Sequence, residues 1–266
     1  MVVRPPAVAG SFYPASSGEL SELIDRLLGE ARAGASAPKT SASAPKAIVV
    51  PHAGYVYSAP IAASAFARVQ ETITRVVLVG PAHRVFVRGM VSPGADRLAT
   101  PLGEIEVDTA ALASVPEVKP DPAAHAREHS LEVELPFIQK VAPRAKIVPI
   151  AVSNASAADV GHVLETLWGG PETLIAISSD LSHYHPYLDG RARDERSVAK
   201  IVAHEPTLAG EDACGCAGLN GLARVARRKR LCTELVDLRS SGDTAGSRDA
   251  VVGYAAIAYA EAKEAA

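Results

Sequence analysis

The sequence predicts an α/β fold: a single domain over residues 1–266, with a largely parallel central sheet flanked by helices. Three observations carry this. Short continuous apolar runs recur along the chain, "KAIVV", "RVVLVG", "KIVPIAV" and "TLIAISS", and such runs suit strands buried on both faces. Segments with apolar residues at three- and four-residue spacing separate them. Hydrophobic residues make up 48% of the chain, enough for a sizeable core. Alternation of this kind is the pattern of an α/β domain.

The elements follow in order. "SSGELSELIDRLLGEARAG" places Leu20, Leu23, Ile24, Leu27 and Leu28 on one stripe. Ser16 or Ser17 is its expected cap and Gly34 its end. Residues 34–46, rich in Ala, Ser and Pro, read as a mobile loop. "KAIVV" is the first buried strand, "APIAASAFARVQ" a helix and "RVVLVG" the second strand. "VDTAALASV" is a short helix. "SLEVELPFIQKVA" is helical, with Pro136 as a kink or a new start. "KIVPIAV" is the third strand. "SAADVGHVLETLWG" opens with a capping-box pattern, Ser156 to Asp159. "TLIAISS" is the fourth strand, and "GRARDERSVAKIVA" and "AGLNGLARVARR" are helices. "TELVDLRSSGD" and "AVVGYAAIAYA" are the last strands, although periodicity alone would also allow a helix in the second.

Lys plus Arg number 27 and Asp plus Glu 30, a formal net charge of −3. Nucleic-acid binders carry a basic excess, so no nucleic-acid partner is expected. No apolar stretch of membrane-spanning length exists, so no membrane association is expected. The three cysteines, Cys214, Cys216 and Cys232, do not make a disulfide framework. The first twenty residues lack the apolar core of a signal peptide. A cytoplasmic protein is the expectation.

In open α/β sheets ligands bind beyond the carboxyl ends of the strands. Pro51-His52 follows "AIVV", and Pro81-Ala82-His83 follows "VVLVG". Asp180, His183 and His185 follow "LIAISS". If the strands are parallel, these exits share one edge. Imidazoles and carboxylates there are ligands for iron, copper, zinc or manganese. Cys214 and Cys216 in "EDACGCAGLNGL" precede a helix, a position that lowers a thiol pKa and suits metal binding or nucleophilic attack. Each residue also has a structural reading. Asp180 would cap a turn, and the cysteines would fill the core. In "REHSLEVELPF", Ser130 reads as a helix N-cap with acids in the first turn, which leaves His129 exposed or turned into the site. His125, His162 and His204 read as surface residues.

The stretches "RPPAVAGSFYP", "VVPHAGYVYSAP", "LVGPAH", "TPLGEIEVD", "EHSLEVELPF", "ISSDLSHY", "ACGCAG" and "VVGYAA" span nearly the whole chain. Through them the sequence resembles the Memo family, whose animal member is named for mediating cell motility. The family's fold is similar to the class III extradiol ring-cleaving dioxygenases, which use non-haem iron(II). The resemblance implies His52, His83 and Cys214 as metal ligands. It implies Asp180, His183 and His129 as cleft residues in catalytic positions. It also implies iron(II), or copper, as the cofactor, with zinc compatible. Cys214 stands where those dioxygenases have a carboxylate, and a thiolate alters the softness of the site. The fold therefore transfers without the ring-cleavage reaction. Cys216 adds a second thiol beside the site.

Three functions follow as expectations. The first is a metal-dependent, dioxygenase-like oxidoreductase acting on a small-molecule substrate, with His52, His83 and Cys214 (or Asp180) holding iron(II) and His183 or His129 as general base. The alternative is a non-catalytic module that recognises a peptide or partner protein in the same cleft. A thiol enzyme with Cys214 as nucleophile ranks third.

Overall fold

The structure is a computed structural model that describes residues 1–34 and 44–261. In chain order the elements are β1 (Val3–Arg4), α1 (Ser17–Gly34), β2 (Ala47–Val50), α2 (Tyr55–Phe66), β3 (Arg75–Pro81), β4 (Met90–Ser92), β5 (Arg97–Thr100) and β6 (Gly103–Glu106). Then come α3 (Thr109–Ala113), β7 (Val118–Pro120), α4 (Pro122–Ala126), α5 (Leu135–Val141), β8 (Lys146–Val152), α6 (Ala157–Thr166) and β9 (Thr173–Ser178). The chain ends with β10 (His183–His185), α7 (Tyr187–Val202), α8 (Cys216–Lys229), β11 (Cys232–Ser240) and β12 (Val251–Ala260).

The main sheet runs β10-β12-β2-β9-β3-β8-β4-β7, with β11 on the other side of β12. The pairs β2–β9, β9–β3 and β3–β8 are parallel. Toward the margins the direction reverses, although β4 and β7 pair parallel with each other. β12 runs antiparallel to β2, β10 and β11, and β4 runs antiparallel to β8. The expected largely parallel sheet is therefore corrected to a mixed one, parallel at its centre. A second small sheet orders β1-β5-β6. Its strands, like β4 and β7, are two to four residues long and carry no sustained apolar run.

The core lies on both faces of the central strands, as their two-residue period requires. Ile48, Val50, Val76 and Leu78 join α1, α2 and α5 on one side. Val49, Val77, Val79 and Ile177 join α6, α7 and α8 on the other. Pro136 sits in the first turn of α5, where its missing N–H costs nothing, and a 3-10 turn at Glu132–Glu134 precedes it. The Ser156–Asp159 capping box opens α6 as its sequence predicts. The ambiguous last segment is a strand, β12. Of the loop predicted at 34–46, residues 35–43 lie outside the described residues. Its far end is held: the Lys46 ammonium donates to the carbonyls of Trp168, Gly170 and Thr173 at 2.6, 2.6 and 2.7 Å. No described helix is long and apolar enough to cross a membrane.

Candidate metal centre

Parallel strands end at one edge, so the residues after β2, β3 and β9 converge. Register places Val50 beside Ser178, and β9 lies between β2 and β3. His52, His83 and His129 meet above this edge, each offering one ring nitrogen, with the three nitrogens within 4.8 Å of one another. The His83 and His129 rings stack at 4.8 Å between centroids, and His52 meets both edge-on.

Two of the rings, those of His52 and His83, are held by hydrogen-bond partners that settle their orientation. His52 is buried. Its backbone N–H donates to Asp180 Oδ1 at 2.8 Å, and its Nδ1 lies 2.7 Å from Ser178 Oγ. His83 Nδ1 lies 3.0 Å from Glu128 Oε1. Glu128 is buried and also accepts from the backbone N–H groups of His83, Arg84, His129 and Ser130. Burial alone would raise its pKa. The hydrogen bonds from the His83 ring and the Ser130 N–H outweigh that and hold the carboxyl well below the usual range. A carboxylate or hydroxyl on Nδ1 leaves Nε2 bare for an ion, the usual arrangement behind a metal-bound histidine.

His129 packs against Phe12, and its Nδ1 is buried with no hydrogen-bond partner among the described residues. Burial lowers its pKa to about 4, against the pull of Glu128. His52 is pushed well below its ordinary value by burial and by the neighbouring His83 and His129. Both rings are neutral at pH 7, the state a metal requires. The donor set thus fits a cation.

Two glycines permit this assembly. A Cβ on Gly80 would lie 2.9 Å from Leu131 and 3.0 Å from Ser130 Oγ, so the loop carrying His129 could not close over β3. A Cβ on Gly215 would lie 2.7 Å from the Ser178 carbonyl, so Cys214 could not approach β9.

Cys214 Sγ lies 3.3 Å from His52 Nε2 and 3.3 Å from the Asp180 backbone N–H. It stands beside the three-histidine group rather than within it. The lowered thiol pKa expected from the start of α8 is corrected. Burial, with Asp180 nearby, raises the Cys214 thiol, and burial also raises Cys216. Desolvation of a thiolate outweighs the helix dipole here. Asp180 is buried, and burial raises its carboxyl to about 7 despite the His52 N–H bond. His183 is half-buried. Burial lowers its pKa, and it lies within electrostatic reach of His52 and His83.

Three further readings change. Ser130 is not a helix cap, since its hydroxyl donates to the Pro81 carbonyl at 2.7 Å. His125 is buried, bonded through Nε2 to the Val91 carbonyl at 3.0 Å, whereas His162 is exposed and His204 half-buried. The acids of "EHSLEVEL" are not a solvated first turn: Glu128, Glu132 and Glu134 are all buried. Glu132 accepts from the Ala7 and Val8 N–H groups, Tyr13 Oη at 2.6 Å and the Arg4 guanidinium, which ties the N-terminal segment under the site. Sequence offered one hint, three acids four and two residues apart along an otherwise largely apolar stretch.

A mixed α/β sheet with histidines gathered at its parallel carboxyl edge defines a protein with a candidate metal centre. Comparison with known proteins makes this specific: the chain belongs to the Memo-like protein family, whose model matches residues 4–258. It is 36% identical over 278 residues to a MEMO1 family protein of Aquifex aeolicus, covering 97% of this chain and 100% of the relative. It is 35% identical over 284 residues to a MEMO1 family protein of Ignicoccus hospitalis (97% and 99%). With one from Archaeoglobus fulgidus it shares 34% over 272 residues (97% and 99%).

Proposed function

We propose that the protein is a metal-dependent oxidoreductase whose ion is held by His52 and His83, with Cys214 or His129 as the third donor. The convergence of three imidazoles on one point supports this reading above any other observation. The 3.3 Å between His52 Nε2 and Cys214 Sγ is close to the roughly 3.5 Å that tetrahedral metal–nitrogen and metal–sulfur bonds imply. Iron(II) is the favoured ion, with copper next and zinc compatible. Bound iron or copper would supply redox chemistry toward dioxygen and an organic substrate. The fold is read as similar to the class III extradiol dioxygenases.

The chain's own residues then have definite tasks. Ser178 and Glu128 fix the rings of His52 and His83. Asp180, raised to about 7, holds or releases a proton at Oδ near neutral pH. His183 is neutral at pH 7, its pKa lowered by burial, and accepts a proton from substrate. His129 does the same if Cys214 takes the third ligand position. With three free thiols, Cys214, Cys216 and Cys232, the protein is read as cytoplasmic.

The test is elemental analysis of protein purified without chelator or polyhistidine tag, beside H52A, C214S and H129A. Near one iron or copper per chain in the wild type and none in H52A is the expected result. The variant of the other pair that loses metal names the third donor. No metal uptake on anaerobic reconstitution with iron(II) or copper(I) would overturn the reading.

A second reading, a peptide- or partner-binding module, has its own support. The exposed Val56, Tyr57, Phe86, Tyr184 and Leu188 all follow the strand ends that carry the histidines. Tyr184 is 77% exposed at φ 60°, a left-handed conformation that costs a tyrosine energy. Metal-independent binding of a partner, abolished by Y184A, would favour this second function.

A further inference from the structure

A marked run of basic residues lies away from the histidines in sequence. Between Asp212 and Glu234 the sequence has no acidic residue, yet it holds Arg224, Arg227, Arg228, Lys229 and Arg230. This occurs in a chain of net charge −3. Basic residues in a last helical turn complement the helix dipole, and Arg227, Arg228 and Lys229 occupy that turn of α8. Two side chains there have further roles: Lys229 Nζ lies over the Trp168 ring at 5.0 Å, and Arg230 caps the helix at φ 55°. The dipole does not account for Arg224, a full turn earlier.

Arg224, Arg227 and Arg228 instead line one cavity of about 490 Å³ between α6 and α8, with Glu165, His162 and Ala158. That volume is within the range of small-molecule sites. The helices approach closely because both carry glycine at the contact: a Cβ on Gly221 would lie 2.4 Å from Val160. Among the described residues the one carboxylate lining the cavity, Glu165, is paired with Arg228. Arg224 and Arg227 have no acidic partner among the described residues. Ala158 lies in the first turn of α6, whose positive dipole end adds to the same field.

We propose that this cavity is a second ligand site, for a compact free anion bearing two or more phosphate-type charges, bound by Arg224 and Arg227. Guanidinium forks suit phosphate oxygens, and two of them match two phosphate groups. A lipid headgroup shares this chemistry, but none of the large exposed apolar side chains lines the cavity, so nothing there would enter a bilayer.

The experiment is calorimetric titration of the intact protein with inorganic pyrophosphate and with orthophosphate. It is repeated on R224A/R227A and on R193A/R196A, which removes the same charge from α7. The expected result is saturable pyrophosphate binding, tighter than orthophosphate, weakened at least about tenfold in R224A/R227A and unchanged in R193A/R196A. Absence of saturable binding, or equal loss in both double variants, would overturn the site. So would co-sedimentation with phosphatidylinositol-phosphate vesicles that pyrophosphate fails to compete. Metal content, measured beside it, should be the same in all three proteins, which separates this result from the histidine centre.

Discussion

Ser178 Oγ stands 2.7 Å from His52 Nδ1, and this contact assigns the tautomer of the histidine. The same oxygen is 2.7 Å from the Ser130 carbonyl and 3.0 Å from Glu134 Oε1. A serine hydroxyl has one hydrogen, and the carbonyl can only accept it. His52 Nδ1 and Glu134 must then both donate to Ser178. Glu134 is fully buried, and burial raises its carboxyl well above the ordinary value, so it is a neutral acid able to do so. His52 therefore carries its proton on Nδ1 and presents a bare Nε2.

Two substitutions test this chain. S178A frees the ring and should weaken metal binding about 10–100-fold, as loss of such supporting groups does. E134Q keeps a neutral donor of the same shape and should bind metal within about threefold of wild type, well short of that loss. Competition with a chromophoric chelator measures both. Equal loss in the two variants would mean that Glu134 acts as an anion, against the assignment.

Glu128 is the corresponding support for His83, and it also gathers backbone donors from two loops. In E128Q the amide NH2 would face those N–H groups. Loss of a buried, charge-assisted set of this kind costs about 2–4 kcal/mol. Urea unfolding of the metal-free proteins should show it. The folded pKa of Glu128 is depressed, so its contribution is present above the unfolded value, about 4.3, and is lost as pH falls below it. The gap between wild type and E128Q should therefore narrow in acid.

How much of this was legible depended on the range of the interaction. His52, His83 and Asp180 could be read because each follows a continuous apolar run, and parallel strands bring their ends to one edge. The roles of Glu128, Glu132 and Glu134 could not. Their partners, His83, Arg4 and Ser178, lie 45, 128 and 44 residues away, and no local pattern distinguishes such acids from a helix's first turn. The antiparallel margins escaped for a similar reason: β4 and β10 are three-residue strands, and an apolar run such as β12 does not say which way its neighbour runs. Cys214 was placed correctly before α8, but its burial against Asp180, which reverses the expected pKa shift, is a tertiary fact.

His125 makes the protein acid-sensitive in a defined window. Burial lowers its pKa from 6.5 to about 4, against the help of the Val91 carbonyl. Between those values the unfolded chain binds a proton that the folded chain does not, so stability rises with pH across the window. The contribution is complete above pH 6.5 and lost as pH falls toward 4, by about 3 kcal/mol at most. H125Q should flatten part of the slope of unfolding free energy between pH 4.5 and 6.5. An unchanged slope would mean that His125 is protonated in the fold.

Arg4 and Glu132 set up the last prediction. The Arg4 guanidinium pairs with Glu132 and donates to the carbonyls of His125, at 3.0 Å from Nε, and Glu128, at 2.7 Å. One side chain from β1 thus pins the loop that carries His129. R4A leaves the buried Glu132 carboxylate without its cation, a loss of about 3–5 kcal/mol for a buried pair. Replacing both partners with apolar residues, R4M/E132L, removes the stranded charge and should recover part of that loss. It would still leave the Ala7 and Val8 N–H groups without their acceptor. Brief proteolysis reads the local effect: cleavage within residues 1–13 should accelerate in R4A. If R4A unfolds at the wild-type urea midpoint, the pair does not hold the segment, and the support of His129 must come from Gly80 and Ser130 alone.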